Sequence, residues 1–85
     1  MEALAKTFTS LKGAPGVSPW NPARLEEWAG VASSGELHSA LFLLHLWDDD
    51  EAWKGGRFNL FNAMAVWDSA HRNAFLGWAA QPWWP

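Results

Sequence analysis

No cysteine occurs anywhere in the 85 residues of this chain. That absence excludes disulfide frameworks, thiolate catalysis and cysteine-ligated metals together. Basic residues are few as well. Lys6, Lys12, Arg24, Lys54, Arg57 and Arg72 stand apart along the sequence against nine acids, and the net charge is −3. Duplex nucleic acid is held chiefly by neutralising its phosphates, so this scattering of cations argues against nucleic acid as a partner. Long apolar runs are missing too. A run such as Ala40 to Leu44, which none exceeds, falls far short of the ~20 residues that span a bilayer, and no membrane partner is expected. The opening segment Met1 to Phe8 has neither a signal-peptide core nor a cleavage site, so a cytoplasmic location is the expectation. Catalytic signatures are likewise wanting. There is no nucleophile elbow and no zinc-protease pair, and Gly55-Gly56 lacks the preceding strand that a phosphate loop requires. The expectation is a non-enzymatic protein without a cofactor.

What is abundant is aromatic mass: eight Trp and five Phe make up 15% of the chain. A domain of this length buries only ~60–65% of the surface its unfolded chain exposes, and here it must do so without crosslinks. Each enclosed aromatic removes ~150–250 Å² from water, worth roughly 4–6 kcal/mol gross. A handful of buried rings therefore replaces the missing disulfides. Eight indoles exceed what one small core encloses, and the surplus is expected at the surface, where aromatic patches mark contacts.

The pattern along the chain is helical throughout. Glu2 to Lys12 spaces Leu4, Phe8 and Leu11 for one helix ended by Gly13. Residues 13–22, rich in Gly and Pro, form an irregular linker, which predicts a first helix only loosely attached. Asn21-Pro22 is an N-cap followed by proline at the first helical position, and it starts a second helix running to about Ser33. Ser33-Ser-Gly-Glu36 matches a capping box. The third helix, Ser34 to Trp47, is apolar nearly all round from Ala40 onward, as a central helix must be. Four acids at a helix C-terminus would oppose its dipole. The spacing therefore predicts a break near Trp47 and a short helix from Asp48 or Asp49 to Lys54. A last helix from Asn59 to about Ala80 carries Leu60, Met64, Trp67, His71, Ala74, Phe75 and Trp78 at one period, with Asp68 as the point where it could divide. Residues 81–85, Gln-Pro-Trp-Trp-Pro, are an extended tail. The fold class is all-α, a single domain over 1–85: a compact bundle of three main helices plus one or two short helices.

Two constellations stand out. His45-x-x-Asp48 and Asp68-x-x-His71 each set an imidazole and a carboxylate on one helical face, a spacing that metal-binding bundles use. His38 lies one heptad before His45, where two imidazoles could titrate together. Caps and hydrogen-bonded core histidines explain the same residues without a metal. The aromatic constellation says more. Trp28, Trp47, Trp67 and Trp78 fall on apolar helix faces and are expected in the core. Trp20, Trp53, Trp83 and Trp84 fall in linkers or at the terminus, where they either lid the core or anchor a partner. Beside Trp53, the run Asp48, Asp49, Asp50 and Glu51 forms an acidic patch suited to a basic partner surface. The expectation is a protein-interaction module of homodimer, adaptor or inhibitor type, whose partner-binding residues are those four tryptophans and four acids. A helical nucleic-acid-binding protein, with the second and third helices as a helix-turn-helix, and a metal-binding helical domain are the alternatives.

Overall fold

Helix starts are written into this chain more clearly than helix ends. In a computed structural model describing residues 1–85, five α-helices succeed one another: α1 (Glu2–Thr7), α2 (Pro22–Ala29), α3 (Ser34–Trp47), α4 (Leu60–Val66) and α5 (Ser69–Ala80), with a 3₁₀ turn at Thr9–Leu11. The all-α bundle expected from the spacing is the fold observed. Three starts rest on side-chain caps that satisfy otherwise unpaired backbone donors. Asn21 accepts from the Arg24 N–H, Asn59 from the Asn62 N–H and Asp68 from the His71 N–H. At α3, Glu36 reaches back to the Ser33 N–H at 2.8 Å, the half of the capping box that its side chain supplies.

The ends differ from expectation in four places, each for a local reason. The first helix stops at Thr7 rather than Lys12, because the Thr7 hydroxyl bonds back to the Leu4 carbonyl at 2.7 Å and Phe8 turns extended. A hydroxyl that satisfies a local carbonyl offers the backbone an alternative to further helix. The second helix ends at Ala29, with Gly30 following. No helix forms over Asp48–Lys54. Asp48 is extended, and its carboxylate accepts the Asp50 N–H at 3.1 Å, so the acid closes a turn instead of capping a helix. The long last helix divides at Trp67-Asp68, with Asp68 capping α5.

α3 is the centre. Ser39 to Leu44 and Leu46 are all buried, and α2, α4 and the 3₁₀ turn pack on it. The first helix is not loosely attached. Leu4, Ala5, Phe8 and Leu11 belong to the core, Phe8 and Leu11 with no exposed surface at all, and the Ser18 hydroxyl ties the linker to Glu2 at 2.9 Å. The linker enters the core as well, through Ala14 and Val17. A radius of gyration of 11.4 Å matches the ~12 Å of a well-packed domain of this length.

Two rings organise the aromatic interior. Phe42 meets Phe8, Phe58, Phe75 and Trp78 with centroids 5.2–5.7 Å apart. Trp67 meets Phe8, Phe58 and Phe75 at 5.6–5.9 Å. Such tilted and edge-on pairs add favourable quadrupole contacts to the area they bury. The Trp67 indole N–H would be a costly orphan in this setting. It donates to the Ser39 hydroxyl at 3.0 Å, which in turn donates to the Gly35 carbonyl at 2.9 Å.

Candidate ligand-binding groove

Of the eight tryptophans only Trp67 is enclosed. Trp20, Trp28, Trp53 and Trp78 are half-buried against the core, and Trp47, Trp83 and Trp84 are exposed. Trp47 therefore departs from its expected core position: it is the last residue of α3 and 43% exposed, its helix face having run past the packed elements.

The exposed indoles are not scattered. At the C-terminal end of α3 a groove of about 440 Å³ opens, within the ~300–1,000 Å³ range of small-ligand sites. Phe42, Phe58 and Phe75 line it together with Trp47, Trp78 and Trp84, and His45, Asp48 and Asp49 contribute polar edges. α3 supplies Phe42, His45, Leu46 and Trp47, its C-cap and the residue beyond supply the carboxylates, and α5 supplies Phe75 and Trp78. The tail closes one side. The Trp78 indole donates to the Trp83 carbonyl at 3.0 Å, and the Trp84 ring stands at 77° to Trp78 with centroids 5.6 Å apart. The two indoles thus form a corner, held before any ligand arrives.

The acidic run lies along the same edge. Carboxylates of Asp48, Asp49 and Asp50 converge to within 4.8 Å of one another, all exposed. Trp53 is pinned beside them by its indole N–H on the Asp48 carbonyl at 3.0 Å. A second cleft of about 300 Å³ adjoins the first through His45 and Asp49 and is lined by Asp50, Glu51, Trp53 and Arg57. The Arg57 guanidinium sits 3.2 Å from His45 Nε2. Of the eight residues expected to bind a partner, Trp84, Asp48 and Asp49 share the aromatic groove, and Trp53, Asp50 and Glu51 line the adjoining cleft. Trp20 packs against Trp47 at 5.6 Å from behind. Trp83 turns the other way, into a cleft with Ala3, Leu4 and Asn73. Sequence reasoning missed Trp47, Trp78, Phe42, Phe58 and Phe75 as groove residues. All but Phe58, which falls outside the periodic segments, read as core by periodicity, and nothing local distinguishes a ring that lines a core from one that lines its mouth.

The two imidazole–carboxylate pairs part company. His45 and Asp48 both border the groove without bonding each other. Asp68 and His71 do bond, Oδ1 to Nδ1 at 2.7 Å, and His71 Nε2 meets the Ser10 hydroxyl at 2.8 Å and the Ser10 N–H at 3.4 Å. A backbone N–H only donates, so Nε2 is the acceptor and Nδ1 carries the hydrogen. Both nitrogens are thereby used, which leaves no lone pair for a metal. The connectivity Asp68–His71–Ser10 is that of a hydrolytic triad, yet its surroundings are those of a brace. His71 stacks on Trp67 at 14°, and neither it nor Ser10 lines any of the five principal clefts. Three N–H groups of the turn are committed as well: Ser10 to His71, Leu11 to the Phe8 carbonyl, Lys12 to the Thr9 carbonyl. The brace ties the 3₁₀ turn to α5 across 61 positions of sequence.

Two carboxylates are held below their usual range: Asp68 by the His71 backbone N–H and then its side chain, Glu36 by the Ser33 backbone N–H and then its side chain. A carboxylate more acidic in the folded chain stabilises it above the unfolded value of ~4, and that contribution is lost as pH falls through the folded value. Thermal melts from about pH 6 to about pH 3 are therefore expected to fall on the acid side. The fall should be shallower in the Asp68→Asn, Glu36→Gln double variant, which keeps both caps and removes both titrations. Identical acid limbs would remove these two groups from the account.

Comparison with protein-family models, characterised proteins and solved structures returns no match.

Proposed function

We propose that this chain is a non-enzymatic interaction module that takes a basic segment of a protein partner onto the aromatic–acidic face at the end of α3. One observation carries the reading: Trp78 and Trp84 border the same groove as Trp47, Asp48 and Asp49, so apolar and negative surface converge although the two C-terminal indoles lie far from the acids in sequence. Trp is enriched at binding hot spots, and a carboxylate edge steers cations toward it and sets register. The nucleic-acid alternative is less favoured, because α3, which would have to enter the major groove, is enclosed by its neighbours. No helix is long and apolar enough to cross a membrane, and a cytoplasmic setting is part of the proposal.

A Lys/Arg-rich peptide and a Glu-rich peptide of equal length, each titrated against tryptophan fluorescence and by calorimetry, test the reading. The basic peptide is expected to bind, more weakly as salt rises. Trp84→Ala, or Asp48→Asn with Asp49→Asn, should weaken it about tenfold or more. Equal indifference to both peptides, or binding that both variants leave untouched, would sink it.

Self-association is a second reading, favoured by the uncovered Phe61 (87% exposed), Leu60 and Val66 of α4. Sedimentation equilibrium of the wild type and Phe61→Asp separates it from the first: a homodimer built on α4 dissociates in the variant, whereas a strict monomer removes it.

A further inference from the structure

We infer that the groove is a cage for a methylated ammonium group, a reading that deepens the basic-partner proposal and rests on it. An ordinary lysine ammonium brings three N–H donors, and leaving them unpaired on entering an apolar site is costly. Phe42, Phe58 and Phe75 in the lining of this groove offer aromatic rings and no side-chain acceptors. A quaternary ammonium has no N–H to satisfy and spreads its charge over methyl groups that pack on rings. Aromatic faces attract such a cation through their quadrupoles, Trp most strongly.

Three features of the site fit that chemistry together. Trp78 and Trp84 meet at 77°, so a cation in their corner has walls from two directions. The corner is preformed, because the Trp83 carbonyl holds the Trp78 indole N–H at 3.0 Å, and preorganised walls lower the ordering cost of binding. Asp48 and Asp49 are exposed members of the same lining, and their carboxylates neutralise the cation's charge without demanding a hydrogen bond from it. Arg57 lines the adjoining cleft and not this groove, with its guanidinium 3.2 Å from His45 Nε2.

The same head group occurs on trimethylated lysine in a protein and on free choline-type molecules, and the experiment separates them. The full chain is titrated calorimetrically with four probes: a Lys-containing peptide, that peptide trimethylated at its lysine, choline chloride, and potassium chloride as the ionic control. The trimethylated peptide is expected to bind roughly tenfold tighter than the unmodified one, with tryptophan emission changing in step. Trp84→Ala should abolish the preference. Phe61→Ala, which alters an exposed ring outside the groove, should leave it intact, and circular dichroism of both variants guards against misfolding. Choline binding as tightly as the trimethylated peptide overturns the protein partner on which this reading rests and leaves the cage to a free quaternary amine. Equal affinity for the two peptides overturns the cage while the basic-partner reading stands. If none of the probes binds, both fall.

Discussion

Trp67→Ala is expected to lower the melting temperature by roughly 15–30 °C, the larger of the two strongest effects anticipated here. Removing a buried Trp costs about 3–5 kcal/mol, since the cavity left behind adds to the lost transfer energy. A domain of this length has only ~4–13 kcal/mol of net stability. The site cannot easily collapse to fill the void, because Phe8, Phe58 and Phe75 all pack on the missing ring and come from three separate parts of the chain: the junction of α1 with the 3₁₀ turn, the loop before α4, and α5. Ser39→Ala provides the companion measurement. It keeps the ring and strands its N–H, so a smaller loss of about 1–3 kcal/mol is expected. Thermal denaturation followed by near-ultraviolet circular dichroism reads both. A Trp67→Ala variant melting within a few degrees of wild type would mean that the aromatic interior is not what holds the helices together.

Gly16→Ala is expected to destabilise by ~3 kcal/mol or more. Gly16 has a φ of +87°, a region that L side chains rarely adopt. A Cβ built there would stand 2.5 Å from both the Asn21 carbonyl oxygen and the Leu25 nitrogen. Those are backbone atoms at the start of α2, where the Gly16 carbonyl also accepts the Asn21 N–H at 2.7 Å. Relief therefore requires moving the helix itself. Gly56→Ala is the control: its φ is +92° but a Cβ there meets nothing within 4 Å, so only the conformational penalty of about 1 kcal/mol applies. Equal losses at the two positions would show that close packing of the linker on α2 contributes nothing.

The fold was legible wherever a single local interaction decided it. Asn21-Pro22 and Ser33–Glu36 marked their helix starts without help from the rest of the chain, and the all-round apolarity of Ala40–Leu44 placed α3 at the centre. The expected helices overran where a competing local bond won. The Thr7 hydroxyl, the Asp48 carboxylate and the Asp68 cap each satisfy a backbone group that a longer helix would have used. Periodicity records none of these. It also cannot tell which turn of an apolar face lies under a neighbour and which lies past it, and so Trp47 was expected inside and emerges at the groove. The groove itself was half legible. Its acids and Trp84 stood out by composition, but their meeting depends on the tail folding back onto α5, and the brace between Ser10 and His71 likewise joins residues that no sequence window contains.

Phe42 has a double allegiance. The residue is 5% exposed and packs on Phe8 in the heart of the molecule, yet it also lines the groove. Retuning ligand preference from below would thus disturb the scaffold, whereas Trp84 and Asp49, both at the rim, can vary at little structural expense. On the proposed role, changes of specificity would fall to the tail and the loop after α3, and a ligand seated on Phe42 would stabilise the fold by RT ln(1 + [L]/Kd) and so raise the melting point. On that role, heat resistance and recognition would meet at one ring.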